Sequence, residues 1–200
     1  MLSGFWYRLL YMIVRAGMFL WHPVFRVIGR ENIPASGSYL ICPNHSGLAD
    51  PIWIVLAMKL GHVPRIMAKK ELFRIPILNK LLAWLGVFGV DREGIDVNAI
   101  KIGLRCLKDG QQLMVFPEGT RVKPGKSVEP KRGAVVLAYR TDSPILPVYL
   151  SARRKPFSPM TCVFGAPYKL EFGGRKPTDA ELEKAVHDLM DNVYKMGEGR

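Results

Sequence analysis

The sequence predicts an α/β fold in which a mixed, largely parallel central sheet is flanked by helices. Short apolar runs of strand length, bounded by glycine, proline or asparagine, alternate with helical patterns. Strands that alternate with helices favour parallel pairing, because each helix supplies the crossover between two strands. The five runs that predict these strands lie at 39–42, 65–68, 87–90, 112–116 and 145–150.

Helical patterns lie between several of these runs, at 51–60, 77–85, 97–108 and 133–139. Glycine follows or lies near the end of three of them, as is common at helix C-termini. Two further apolar runs, 161–164 and 168–172, precede a last helix, which Thr178 and Glu181 are predicted to open with a capping box. We expect residues 29–200 to form one domain and residues 1–28 a separate N-terminal segment.

The N-terminal segment is predicted to be a pair of amphipathic helices that docks on a membrane surface. Aromatic and aliphatic residues dominate it, but Arg8, Arg15 and Arg26 interrupt the apolar run before it reaches the roughly 20 residues of a spanning helix. On a helical wheel His22 joins these arginines on one face, and Pro23 is expected to break the helix in two. The alternative is an ordinary amphipathic helix that covers the core.

Charge and cysteine content restrict the partners and the compartment. Twenty-nine lysines and arginines against 17 acidic residues give a formal charge of +12, which favours phosphorylated small molecules, an anionic membrane surface or nucleic acid. No zinc-finger, RNP or helix-turn-helix signature occurs, so nucleic acid is not expected as a partner. Cys42, Cys106 and Cys162 form no CxxC pair, and the histidines lack metal-ligand spacing; we expect a cytoplasmic setting without disulfides or a metal.

The stretch ICPNHSGLAD places His45 directly after a predicted strand and Asp50 five residues later. Asp50 precedes a proline and therefore resembles the N-cap of the next helix, which would direct its carboxylate to backbone amides. The other interpretation pairs the carboxylate with a ring nitrogen of His45, which requires a turn between the two residues that Gly47 makes feasible. Paired in this way, His45 is suited to act as a general base near neutral pH.

Two other predicted strand ends carry basic residues. In LMVFPEGTRVKPGK, Glu118, Gly119, Thr120 and Arg121 follow an apolar strand, and in LGVFGVDRE, Arg92 follows another. The planar guanidinium fork suits a phosphate, to which a threonine hydroxyl or a turn amide adds donors. Three strand ends with such side chains predict a site for an anionic substrate at one edge of the sheet.

Four motifs in this order, NHSGLAD, GVFGVDR, FPEGTR and ILPVYL, resemble the four blocks of the glycerolipid acyltransferase family. The resemblance covers roughly residues 30 to 150. It implies that a fatty acyl chain moves from a thioester donor, acyl-CoA or acyl-carrier protein, to the free hydroxyl of 1-acylglycerol-3-phosphate, giving phosphatidate in phospholipid synthesis. It further implies no cofactor apart from the acyl donor, and a peripheral or monotopic place on the cytoplasmic face of the cell membrane.

The resemblance also assigns roles to the candidate residues. His45 is expected to take the proton of the attacking hydroxyl while Asp50 orients the ring. The expected substrate-binding residues are Arg92 and Arg121 for the phosphate, together with Lys69, Glu118, Gly119 and Thr120. The alternatives are a related acyltransferase for another lyso-lipid and a non-catalytic membrane lipid-binding protein on the same fold.

Overall fold

A seven-stranded mixed sheet forms the centre of the protein. The computed structural model describes residues 4–58, 61–91, 97–123, 125–152 and 157–198. The strands are β1 (Phe25–Ile28), β2 (Leu40–Pro43), β3 (Arg65–Lys69), β4 (Val87–Val90), β5 (Leu113–Met114), β6 (Ile145–Leu150) and β7 (Met160–Phe164). They lie in the order β1-β7-β6-β2-β5-β3-β4, and every neighbouring pair is parallel except β6 and β7. The predicted mixed, largely parallel sheet is confirmed.

Six α-helices occur in the described part of the chain. They are α1 (Gly4–Trp21), α2 (Asp50–Ala57), α3 (Pro76–Trp84), α4 (Val97–Lys108), α5 (Gly133–Thr141) and α6 (Asp179–Lys195). Helix α6 begins as predicted, because the Thr178 hydroxyl accepts from the Glu181 amide while the Glu181 side chain accepts from the Thr178 amide. Short 3₁₀ turns follow β1 and β3, at Arg30–Asn32 and Lys70–Arg74.

The two faces of the sheet bury separate apolar clusters. Along β2, Leu40 and Cys42 pack with α4, α5 and α6, whereas Ile41 and the preceding Tyr39 pack with α2. This alternation follows from the two-residue period of a strand. Because helices cover both faces, the central strands are apolar throughout, as parallel strands usually are.

The second helix predicted for the N-terminal segment is wrong. Residues after Pro23 form the edge strand β1, which pairs in parallel with β7 from Phe25↔Met160 to Ile28↔Val163. Proline ends α1, and the alternating half-buried and exposed side chains of β1 suit an edge strand. The division of the chain at residue 28 stays a prediction, although β1 adds residues 25–28 to the sheet.

Helix α1 differs in one side chain from the helical-wheel prediction. His22 does not share an exposed polar face with Arg8 and Arg15: it is buried, its Nδ1 lies 2.8 Å from the Ser158 carbonyl oxygen, and its ring meets Trp53 edge-on at 5.5 Å. The helix itself remains largely exposed, with bulky apolar side chains at Trp6, Met12, Ile13, Phe19, Leu20 and Trp21. Among the described residues, no helix has the length and hydropathy needed to span a bilayer.

Of the two apolar runs before the last helix, 161–164 lies in β7 and 168–172 forms no strand. Tyr168 makes a single antiparallel bridge to Ile145, and the chain then leaves the sheet toward two glycines with positive φ, Gly173 and Gly174. Isolated backbone pairing of this kind does not continue once the chain turns away from its neighbour.

The three cysteines are free and buried.

Candidate active site

Those predicted site residues that the structure describes lie along one edge of the sheet. Strands β2, β5, β3 and β4 are parallel neighbours, so their C-terminal ends share that edge. His45 follows β2, Glu118 follows β5, Lys69 ends β3 and Asp91 follows β4. The strand order therefore places four segments that are distant in sequence side by side along this edge.

His45 and Asp50 form a buried pair in the loop between β2 and α2. The His45 Nδ1 lies 3.0 Å from the Asp50 Oδ2, and the Asp50 side chain is fully buried. A carboxylate at Nδ1 holds the proton on that nitrogen, so Nε2 carries the basic lone pair. Among the described residues, none is hydrogen-bonded to Nε2. The arrangement can thus accept a proton at Nε2 and stabilise the imidazolium that results.

Asp50 is not the helix N-cap that its position before proline indicated. The N-cap is Ala49, without a side-chain cap bond, and Asp50 is the first residue of α2. Its carboxylate turns back to the loop, where Oδ2 accepts from the amides of Ser46 and Gly47 at 2.6 Å each. The same oxygen therefore closes the turn after His45 and contacts the ring, which is the geometry that the catalytic interpretation requires.

The Glu118 side chain is buried next to the His45 backbone. Its Oε2 accepts from the His45 amide at 2.6 Å, and its Oε1 accepts from the Tyr194 hydroxyl on α6. The side chain is only 4% exposed. Burial raises the pKa of Glu118 above its ordinary value, while the hydrogen bonds from Tyr194 and His45 lower it and so oppose that rise. The carboxylate thus joins the histidine loop to the C-terminal helix rather than facing solvent.

Two further side chains hold His45 in place, and sequence reasoning missed both. The Asn44 side chain exchanges two hydrogen bonds with the Leu150 backbone on β6, at 3.0 and 2.8 Å. The Phe116 ring lies 4.2 Å from the His45 ring, centroid to centroid. Asn44 lies inside the NHSGLAD motif and could have been noticed there. Tyr194 of α6, the partner of Glu118, was missed as well, and nothing in the sequence points to it.

The segment after Glu118 runs along the mouth of the site. Gly119 has a φ of +64°, and an added Cβ would lie 3.2 Å from the Lys131 side chain, so glycine suits this turn. The Val122 amide donates to the His45 carbonyl at 2.8 Å, which fixes the segment beside the histidine. Thr120 and Arg121 between them are exposed, and Arg121 has no ion-pair partner in the part of the chain that the structure describes.

Lys69, the other described candidate, lies farther along the edge. Neighbouring strands are about 4.8 Å apart, which places the end of β3 about 10 Å and the end of β4 about 14 Å from the end of β2. Lys69 is exposed at the end of β3, with its Nζ 3.7 Å from Glu71 Oε1. Arg92 lies outside the described residues. Lys70 and Asp91 form an ion pair that links the ends of β3 and β4.

No cluster of three or more histidine, cysteine, aspartate or glutamate side chains suited to a metal occurs among the residues that the structure describes. The donor set around His45 consists of two carboxylates, each already accepting hydrogen bonds from protein groups. What these residues offer is acid–base chemistry at the His45 ring beside an exposed arginine.

The family profile described as Acyltransferase matches residues 24–151, well over half of the chain. The chain belongs to the acyltransferase family. The matched range holds His45, Asp50, Glu118 and Arg121 but ends before α6. The resemblance seen in the four motifs is confirmed.

Named relatives agree with the family. A 1-acyl-sn-glycerol-3-phosphate acyltransferase from Borreliella burgdorferi is 35% identical over 153 residues, which are 72% of this chain and 59% of the relative. The enzyme of that name from Bacillus subtilis is 36% identical over 125 residues, 61% of this chain and 60% of the relative. The chain thus spans about three fifths of the length of these relatives.

A solved structure shares the fold. The crystal structure of the 1-acyl-sn-glycerophosphate (LPA) acyltransferase PlsC from Thermotoga maritima matches with a TM-score of 0.70 and 27% sequence identity. The match covers 93% of this chain and 76% of the PlsC chain. The similarity therefore extends beyond the range of the family profile.

Proposed function

We propose that this protein transfers a fatty acyl chain from a thioester to the free hydroxyl of 1-acylglycerol-3-phosphate. The observation that carries the proposal is the buried His45–Asp50 pair, with 3.0 Å between Nδ1 and Oδ2, at the edge of the sheet. The relatives named as 1-acyl-sn-glycerol-3-phosphate acyltransferases support this acceptor.

The proton path follows from the geometry of the pair. The Nε2 of His45 takes the hydroxyl proton as the oxygen attacks the thioester carbonyl carbon, and Asp50 stabilises the imidazolium. The tetrahedral intermediate then breaks its C–S bond, and the imidazolium returns the proton to the departing thiolate. The balance needs no covalent enzyme intermediate, so the buried thiol of Cys42 has no part in it.

Phosphate binding is assigned to the basic residues of the same edge. Arg121 is exposed on the segment that Val122 ties to the His45 backbone, so a phosphate a few bonds from the reacting hydroxyl falls within its reach. The Thr120 hydroxyl and the amides around Gly119 add donors. Arg92 and Lys69, from the ends of β4 and β3, are proposed to bind the more distant anionic groups.

The exposed apolar side chains of α1 support docking on the cytoplasmic face of an anionic membrane. Helix α1 reaches the body of the protein through the Tyr11 hydroxyl, which donates to the Leu56 carbonyl on α2 at 3.1 Å. Helix α2 begins at Asp50, so a membrane-bound α1 brings the His45 site close to the lipid. The net charge of +12 favours anionic lipids, with about 1 kcal/mol from each basic residue near the surface. Acyl-CoA and acyl-carrier protein are both proposed as donors.

The test is a panel of acceptors and donors. Purified protein is incubated with lysophosphatidate, lysophosphatidylcholine or monoacylglycerol, with palmitoyl-CoA or palmitoyl acyl-carrier protein, and products are identified by mass. We expect phosphatidate from lysophosphatidate, little product from monoacylglycerol, and loss of transfer by His45→Ala with a wild-type circular dichroism spectrum. Equal transfer by His45→Ala would remove the dyad from the mechanism. Preference for a phosphate-free acceptor would refute the assigned acceptor.

A further inference from the structure

We infer that Tyr194 of α6 is a positioning residue for the reaction, acting through Glu118 on His45. The inference rests on the proposed function and adds to it a residue that lies beyond the range matched by the family profile. The Tyr194 hydroxyl donates to Glu118 Oε1, and Glu118 Oε2 accepts from the His45 amide at 2.6 Å. A continuous chain of hydrogen bonds thus joins the C-terminal helix to the histidine.

Both oxygens of Glu118 are engaged by groups from different parts of the fold. Oε2 faces the loop after β2, and Oε1 faces α6, so the carboxylate cannot rotate without losing one of the bonds. The His45 main chain is held at its amide by Glu118 and at its carbonyl by the Val122 amide. The ring orientation set by Asp50 is useful only while this main chain stays fixed, because a general base must lie within hydrogen-bond reach of the proton.

The position of the Tyr194 hydroxyl is in turn fixed by close packing around the end of α6. The neighbouring Val193 is fully buried in the core. After the helix, Gly197 lies so close to the Tyr149 ring that an added Cβ would come within 2.2 Å of its Cζ. Tyr194 as a residue is 42% exposed although its hydroxyl meets a buried carboxylate. An exposed residue with its polar end turned inward indicates that the hydroxyl, rather than apolar burial, is what this position contributes.

The effect of Tyr194 on the pKa of Glu118 gives the inference a second measurable consequence. In the described part of the chain, the titratable groups that face Glu118 are His45 and Asp50 from the β2–α2 loop and Tyr194 from α6, with Tyr149 of β6 next to Tyr194. Burial and the adjacent carboxylate raise the pKa of Tyr194, so it stays a donor. Its hydrogen bond lowers the pKa of Glu118 and so favours the ionised carboxylate beside the imidazolium.

Tyr194→Phe removes the hydroxyl and leaves the ring. Assayed with oleoyl lysophosphatidate and palmitoyl-CoA in detergent micelles, this variant should lose about 5- to 30-fold in kcat with little change in KM. The acid limb of its kcat–pH profile should move to higher pH, because Glu118 without the donor protonates more readily. In a Glu118→Gln background the same substitution should leave the acid limb in place, since no carboxylate remains to titrate.

Tyr139→Phe is the matched control. The Tyr139 ring packs on Phe172 at 5.5 Å near the C-terminal end of α5, at the opposite edge of the sheet, and its hydroxyl makes no hydrogen bond within the described ranges. This variant should keep the wild-type kcat and pH profile. A loss of kcat in Tyr194→Phe without movement of the acid limb, or the same loss in Tyr139→Phe, overturns the inference.

An NMR titration separates this inference from the proposed function. The amide proton of His45 donates to Glu118, so its chemical shift reports the ionisation of that carboxylate. We expect Tyr194→Phe to move the midpoint of this titration to higher pH, whether or not transfer is measured. An unmoved midpoint overturns the hydrogen-bond chain. A moved midpoint in a protein without transfer activity supports the chain and overturns the proposed function instead.

Discussion

Replacing Asp50 by asparagine should separate the catalytic role of this residue from its role in folding the loop. The Oδ2 atom accepts from His45 Nδ1, Ser46 N and Gly47 N. An asparagine whose side-chain oxygen takes that place can accept from the same three donors. The negative charge is lost, so Asp50→Asn should fold while it stabilises the imidazolium less.

The size of the effect follows from the 3.0 Å separation of the two atoms. With an effective dielectric constant of about 20, opposite unit charges at this distance attract by about 5.5 kcal/mol. The amide dipole replaces part of that attraction. Since each 1.36 kcal/mol changes a rate tenfold, we expect kcat to fall by about 10² to 10⁴. The corresponding Asp→Asn change in a serine protease triad costs about 10⁴.

The assay measures kcat and KM at saturating palmitoyl-CoA, with thermal unfolding recorded for each variant. Asp50→Ala should lose both activity and stability, because the Ser46 and Gly47 amides then lack their acceptor, at about 1–3 kcal/mol for each unsatisfied group. Asp109→Asn, at an exposed ion pair with Arg105, serves as the control and should change neither quantity appreciably. A folded Asp50→Asn variant with kcat within threefold of wild type would show that the carboxylate serves the loop alone.

Two further predictions concern stability and membrane binding. Because the pKa of Glu118 is raised in the folded protein, the stability that this group contributes is full below its ordinary pKa of 4.5 and is lost as the pH rises through the raised value. Glu118→Gln should therefore raise the melting temperature near neutral pH while kcat falls, and a lower melting temperature would contradict the burial argument. Deletion of residues 1–21, which spares β1, should reduce sedimentation with anionic liposomes at least about tenfold yet retain part of the turnover of a short-chain, water-soluble acceptor. Undiminished liposome binding would show that the docking surface lies elsewhere.

The sequence predicted most of the sheet because its central strands are buried on both faces. Strands β4 and β6 have the predicted bounds, since continuous apolar runs between turn residues leave few other interpretations. The edge strand β1 escaped detection because its partner β7 lies more than 130 residues later in the chain. Only that pairing distinguishes the four residues of β1 from the aromatic helix before them.

The candidate site was predictable where the motif residues interact with one another. His45 and Asp50 lie five residues apart, and the intervening glycine made a turn feasible, so their contact could be anticipated. The role of Glu118 could not, because its partner Tyr194 is 76 residues away on α6. The sequence likewise gave no sign that His22 is buried against Trp53, since a helical wheel describes one helix without its neighbours.

The three hydrogen bonds that Asp50 Oδ2 accepts limit how this protein could be redesigned. One oxygen atom both shapes residues 45–50 and polarises the base, so most changes that remodel this loop for a new substrate also change the reactivity of His45. The exposed Thr120 and Arg121 do not combine a role in shaping this loop with a role in polarising His45. A library that aims at a different lyso-lipid should therefore vary residues 120 and 121 and leave residues 44–50 constant.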